Sequence, residues 1–190
     1  MIPLLAAALA LALLPQAADP DPARTLFDFA APDAAPRWQA VNDGVMGGVS
    51  EGRFEITEYG TMRFRGTLSL ENNGGFASVR SRREPLGLKP DDTLIIRLKG
   101  DGRAYLLNLY PPNRQTAFSY RAPLPTRAGE WTELRVPLKD CVATSFGRTL
   151  PDAGPVPAAK VDSLGFMLSD KTPGPFALEI AWVKAVGGAP

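Results

Sequence analysis

The sequence contains no histidine and one cysteine, Cys141. Without histidine, the Ser-His-Asp and Cys-His nucleophilic arrangements are closed, and so are zinc sites of the usual Cys/His kind. A single cysteine cannot form an internal disulfide, so the fold has to rest on its core. Cys141 has no imidazole or second thiol to activate it and reads as a small, half-buried apolar residue. Excess charge of either sign is also missing. The 21 Lys and Arg against 20 Asp and Glu leave a net charge of +1, and no basic run provides the patch or stripe a nucleic-acid partner needs. Long apolar runs are nearly absent as well. The one present, Ile2–Leu14, is too short to cross a bilayer core of about 30 Å as a helix.

That run has the length of a signal-peptide core and is followed by Pro15 and small residues, so residues 1–18 read as a signal peptide and the protein as periplasmic or secreted. A mitochondrial transit peptide is Arg-rich, whereas the first arginine here is Arg24. Residues 19–36 form an extended Pro/Ala/Asp-rich lead-in in which Leu26, Phe27 and Phe29 dock on a single domain over 37–187. A chain of 190 residues, 45% of them hydrophobic, buries roughly 70% of its unfolded surface, enough for a real core.

Glycine and proline recur about every ten residues, and the runs between them alternate. "TMRFRGTLSL" turns Met62, Phe64, Leu68 and Leu70 to one face, "WTELRVPL" turns Leu134, Val136 and Leu138 inward, and "FALEIAWVKAV" aligns Phe176, Leu178, Ile180 and Trp182. Period-two alternation with regular turn signals marks an all-β antiparallel sandwich or barrel. Strands are expected at 38–41, 53–58, 61–70, 76–82, 93–99, 103–110, 116–122, 130–137, 163–169 and 176–186, with 138–162 a long irregular connection packed over one end or edge. If consecutive strands alternate in direction, the loops at 42–52, 71–75, 100–102, 122–129 and 170–175 gather at one pole.

That pole carries the most unusual local sequence, "NDGVMGGVS" at 42–50. Gly44, Gly47 and Gly48 are not followed by the Lys-Ser/Thr of a phosphate loop and lack dinucleotide-fingerprint spacing, so no nucleotide cofactor is expected. Asn42-Asp43-Gly44 is a turn signal, Gly47-Gly48 permits close backbone approach, and Met46 is expected to plug an end of the core. "ENNGGF" at 71–76 repeats the turn chemistry through Asn73, Gly74 and Gly75. Arg80, in phase with Phe76, needs a carboxylate or carbonyl partner if its face is buried, with Asp43 the partner to test. Asp101 and Arg103 sit at the next tight turn and Asp170 at the last. Paired-carboxylate hydrolysis and a calcium site at this pole compete with the ordinary role of Asp in such turns, that of turn former. Tyr110, Phe118, Tyr120 and Trp131 are candidate exposed aromatics for stacking on a sugar or a protein, and Trp38 and Trp182 candidate core residues.

Together, "WQAVNDGVMGGVSEGRF", "GTLSLENNGGFASVRSR", "LIIRLKGDGRAYLLNLY", "EWTELRVPLKD" and "LGFMLSDKTPGPFALEIAWV" resemble the complex I intermediate-associated protein 30 family in order and spacing, over about residues 26–186. The resemblance implies a galactose-binding-domain-like jelly-roll β-sandwich. Its signature positions are Asn42, Asp43, Gly44, Met46, Gly47, Gly48, Ser50, Asn73, Gly74, Gly75, Phe76, Arg80, Gly100, Asp101, Gly102 and Asp170, and it supplies no catalytic residue, metal or cofactor. Mitochondrial members are non-catalytic assembly factors. The expectation is therefore an exported, non-catalytic binding or assembly module with a protein partner, with a carbohydrate-binding module as the alternative.

Overall fold

The computed structural model describes residues 22–115 and 117–188. Among the described residues thirteen strands build two antiparallel sheets, confirming the all-β sandwich. The strands are β1 (Arg24–Asp28), β2 (Trp38–Asn42), β3 (Glu51–Ile56), β4 (Met62–Leu68), β5 (Ala77–Ser81), β6 (Thr93–Lys99), β7 (Ala104–Tyr110), β8 (Phe118–Pro125), β9 (Trp131–Pro137), β10 (Val142–Ser145), β11 (Arg148–Thr149), β12 (Ser163–Leu168) and β13 (Gly174–Val186). One sheet runs β3-β4-β13-β6-β9 with β1 also on β13, and the other runs β11-β10-β8-β7-β12-β5-β2. Between them lie the alternating apolar residues: Met62, Phe64, Ile96, Leu98 and Leu178 from the first sheet, and Val79, Leu107, Leu109, Leu164 and Phe166 from the second. The described part of the lead-in, from residue 22, packs against this core. Phe27 and Phe29 are buried beside Trp38, which stacks on Phe166 with ring centroids 5.9 Å apart.

Ten strands fall where alternation places them, and the exceptions have local causes. The β1 pairing lies in the Pro/Ala-rich lead-in, and β10 and β11 are only four and two residues of the 138–162 connection. Strand β8 carries Pro123 and Pro125 and still pairs with β7 through Pro125. Proline is tolerated there because β10 pairs with β8 only up to Arg121, so the upper part of β8 is an edge that needs no N–H donor on that side. In β13 the register shifts between Ile180 and Trp182. This bulge flips the phase, burying Val183 and Ala185 and turning Trp182 outward under the Lys184 ammonium, 4.3 Å from a ring centroid. Trp182 is thus an outer-face residue, not a core one.

Candidate functional site at the loop pole

Contacts across the loops bring 42–50, 69–76, 100–103, 126–130 and 170–175 to one end of the sandwich. The two missed strands before β12 are an even number, which is why the parity argument survives them.

The chain enters the first loop as a 3₁₀ turn at Asp43–Met46, closed by Gly47 in the left-handed region at φ 90°. Asp43 is fully buried. Its Oδ1 accepts the Ser50 amide at 2.9 Å, and its Oδ2 accepts the Ser50 hydroxyl at 2.6 Å and the amides of Gly75 and Phe76 at 2.6 and 3.2 Å. The Ser50 Oγ in turn accepts the Ser69 amide at 3.0 Å. One carboxylate therefore ties the turn before β3 to the turn before β5. Burial pushes its pKa up, but the donors from Ser50, Gly75 and Phe76 outweigh that and leave it below the ordinary value. Gly48 and Gly74 are the room this requires: a Cβ at Gly48 would lie 2.4 Å from Asp43 Cγ, and one at Gly74 2.6 Å from Asp43 Oδ2. At the same end Asn42 donates to the Gly52 carbonyl at 2.9 Å, while its buried Oδ1 has no partner among the described residues. Gly44 has open space around its Cβ position, and Asn73 occupies the left-handed region at φ 58°.

A second hub lies across the pole. Arg103 forks onto Asp170, Nε to Oδ2 at 2.9 Å and Nη2 to Oδ1 at 2.6 Å, and also reaches the carbonyls of Thr172 and Pro175. The Arg103 fork holds the Asp170 carboxyl below its ordinary value against a smaller opposing effect of burial. Asp101 accepts the Arg103 amide, the Tyr105 hydroxyl and the Ala177 amide at 3.1, 3.1 and 2.9 Å. Gly100 approaches Thr126 so closely that a Cβ would sit 2.4 Å from its Oγ1, while Gly102 turns at φ 94°. The three polar-loop aspartates thus spend their oxygens on fold-building donors, and among the described residues no group of three or more Cys, Asp or Glu is set to hold a metal.

Several expectations are corrected. Met46 does not plug the core. It is 54% exposed, beside Val45 at 74% and Val49 at 47%, because Asp43 and not Met46 turns inward and fills the space beneath the loop. Leu70, past the end of β4, is also exposed. Arg80 does not pair with Asp43. It lies on the outer face of its sheet, where its Nε donates to Ser78 Oγ at 3.2 Å and its guanidinium covers the Tyr110 ring. Of the candidate stacking aromatics, Tyr120 is buried, Phe118 packs edge-on against it, and Trp131 lies under Arg97 and Lys99. The exposed apolar triplet 45/46/49 was missed as a surface, although a Val-Met-Gly-Gly-Val run in a turn-rich segment is the signal that carries it.

The architecture is a jelly-roll β-sandwich, a fold that carbohydrate-binding modules also adopt. It superposes on the family 11 carbohydrate-binding module from Clostridium thermocellum, solved with a β-1,3-1,4-mixed-linked tetrasaccharide, at a TM-score of 0.62 and 15% identity, covering 87% of this chain and 96% of that one. The sequence pattern of complex I intermediate-associated protein 30 matches residues 27–180. The chain belongs to that family. It is 29% identical over 180 residues to the mitochondrial complex I intermediate-associated protein 30 of Drosophila melanogaster (83% of this chain, 61% of the relative) and 30% identical over 184 residues to that of Mus musculus (85% and 55%). The chain thus spans somewhat more than half the length of these curated relatives.

The mitochondrial relatives correct the expectation of a periplasmic or secreted protein. That expectation rested on residues 1–18, which lie outside the described residues. The physical signal there is incomplete: no Lys or Arg precedes the Ile2–Leu14 run, and Gln16 stands where cleavage after Ala18 calls for a small side chain. No helix among the described residues is long and apolar enough to cross a membrane.

Proposed function

We propose that this domain is a non-catalytic binding module for a protein partner, acting in the assembly of a respiratory membrane complex, and that it docks through the loop tip formed by Val45, Met46 and Val49. The observation that carries the proposal is the contrast within one loop. Asp43 anchors it from beneath through four hydrogen bonds, while three large apolar side chains next to it face solvent. A loop held rigidly with apolar residues outward binds without a large ordering cost, and exposed apolar groups gathered at one place are what interaction surfaces use. Family membership supports a partner of the complex I assembly kind.

A glycan ligand is the second reading, supported by the carbohydrate-binding modules among the proteins that share the fold. The burial or covering of Tyr120, Phe118 and Trp131 weighs against it, since sugar rings need open aromatic faces. Crosslinking and pull-down from native cells separate the two, using the wild-type chain, a Val45→Asp/Met46→Asp variant and soluble glycan competitors. The protein reading expects complex I subunits with the wild type, none with the variant, and no effect of glycans. Recovery that survives the variant, or that glycans abolish, overturns it.

A further inference from the structure

The outer face of the seven-stranded sheet holds a group of side chains that the loop pole does not use. Cross-strand register sets Arg80 of β5, Gly165 of β12, Asn108 of β7 and Arg121 of β8 in one row, with Tyr110 two residues further along β7. Gly165 opens the floor between them. A Cβ there would lie 2.7 Å from the Val79 carbonyl oxygen and 3.0 Å from Arg80 Cγ. The Arg80 stem therefore lies across bare backbone, and its guanidinium carbon rests 4.9 Å from the Tyr110 ring centroid.

The two arginines are anchored alike. Arg80 Nε donates to Ser78 Oγ at 3.2 Å and Arg121 Nε to Ser119 Oγ at 3.1 Å, each to the serine two residues back on its own strand. Their terminal nitrogens are left over, and among the described residues neither guanidinium forms an ion pair with a carboxylate. Two neutral groups beside them are orphaned as well. Asn108 is fully buried, its Oδ1 accepts the Ser119 hydroxyl at 3.0 Å, and among the described residues its Nδ2 has no partner and the buried Tyr110 hydroxyl has none either. Burial lowers the Arg121 pKa and the Arg80 charge adds to the effect, against an opposing influence of Tyr110.

Every unsatisfied nitrogen on this face is a donor, and the Tyr110 hydroxyl can donate too. Two like charges that act on each other across one sheet face without a counter-charge are unfavourable, and so is a buried donor without an acceptor. One kind of ligand relieves both: an acceptor-rich anion that guanidinium forks recognise. We infer that this face binds a small oxyanion, a carboxylate or phosphate group, between Arg80 and Arg121, with the Asn108 amide and Tyr110 hydroxyl as neutral donors. The site is separate from the loop tip, so loss of partner binding in the Val45/Met46 variant leaves it intact.

The test titrates the full chain with inorganic phosphate and, separately, with malonate, following arginine Nε–H signals by NMR and affinity by calorimetry. Sodium chloride at matched ionic strength is the reference. Saturable shifts confined to Arg80, Arg121 and the Asn108 amide are expected with at least one probe, and the tighter probe tells phosphate from carboxylate chemistry. Arg80→Gln and Arg121→Gln each weaken binding about 10- to 100-fold, the loss expected for a charged hydrogen bond. Tyr110→Phe, which keeps the ring and the packing, weakens it by a smaller factor and serves where the arginine variants fail to fold. Shifts reproduced by chloride, an absence of saturation with both probes, or folded variants that bind like the wild type overturn the inference.

Discussion

Gly48 faces the Asp43 carboxylate so closely that a methyl group in place of its hydrogen would lie 2.4 Å from Asp43 Cγ and 2.6 Å from Oδ1. The glycine and the aspartate are therefore one unit: the carboxylate can sit beneath the loop only because the residue above it has no side chain. Asp43→Ala removes the acceptor of four hydrogen bonds and strands buried donors, at a cost of about 3–5 kcal/mol. Gly48→Ala forces the same carboxylate aside and costs about 1–3 kcal/mol. Urea unfolding measures both, and the double variant should cost less than the sum, because the second change removes an interaction the first has already broken.

Acid should act on the same carboxylate. Burial raises the Asp43 pKa, but the donors from Ser50, Gly75 and Phe76 lower it by more, and the net folded value lies below 3.8. Asp170 is likewise lowered, chiefly by Arg103. Both bind a proton less readily folded than unfolded. Their contribution to stability is complete above the ordinary carboxylate value and drains away as pH falls through the lowered folded values. Unfolding free energy measured from pH 7 downward should fall below about pH 4. Asp43→Asn should flatten part of that slope, and an unchanged slope would rule out Asp43 as a source.

These interactions mark how far the sequence was legible. Alternation located ten strands because a half-buried strand repeats its environment every second residue, and the pole followed from strand direction alone. The failures are places where one residue breaks the period. A single extra residue near Ala181 reverses the phase of β13, so Trp182, aligned with Ile180 on paper, faces out. Polarity, the ordinary guide, puts Met46 inside. The loop instead buries Asp43, and amides contributed from 32 and 33 residues further along make that affordable. No local pattern contains those partners, so the inversion of inside and outside at residues 43 and 46 could not be read from the segment by itself.

Arg103 offers a sharper chemical contrast. Its guanidinium holds both oxygens of Asp170 through Nε and Nη2, while Nη2 also reaches the Thr172 carbonyl and Nη1 the Pro175 carbonyl. Lysine keeps the charge but cannot fork. Arg103→Lys should therefore destabilise the domain by about 1–3 kcal/mol, nearly as much as Arg103→Met, and amide exchange in 170–175 should quicken in both. A lysine variant as stable as the wild type would show that charge alone suffices.

Cys141 should be inert in the folded protein. Burial, with the neighbouring Asp140 charge adding to it, pushes the thiol up to about 12. At pH 8 almost none of it is thiolate, the reactive form. A chromogenic thiol reagent should label the native chain at least a hundred times more slowly than the urea-unfolded chain, and comparable rates would place the thiol at the surface.

Strand β13 has a further consequence for the order of events during synthesis. Its first half pairs with β4 and its second half with β1, while β6 lies along its other side. Without it the six-stranded sheet is three disconnected pieces: the β3–β4 hairpin, the β6–β9 pair and a solitary β1. As the ribosome makes this domain, the apolar faces of those pieces have no sheet to join until residues 174–186 emerge. A chain paused before that point is a natural client for a chaperone, and the final strand acts as the keystone that ends its exposure.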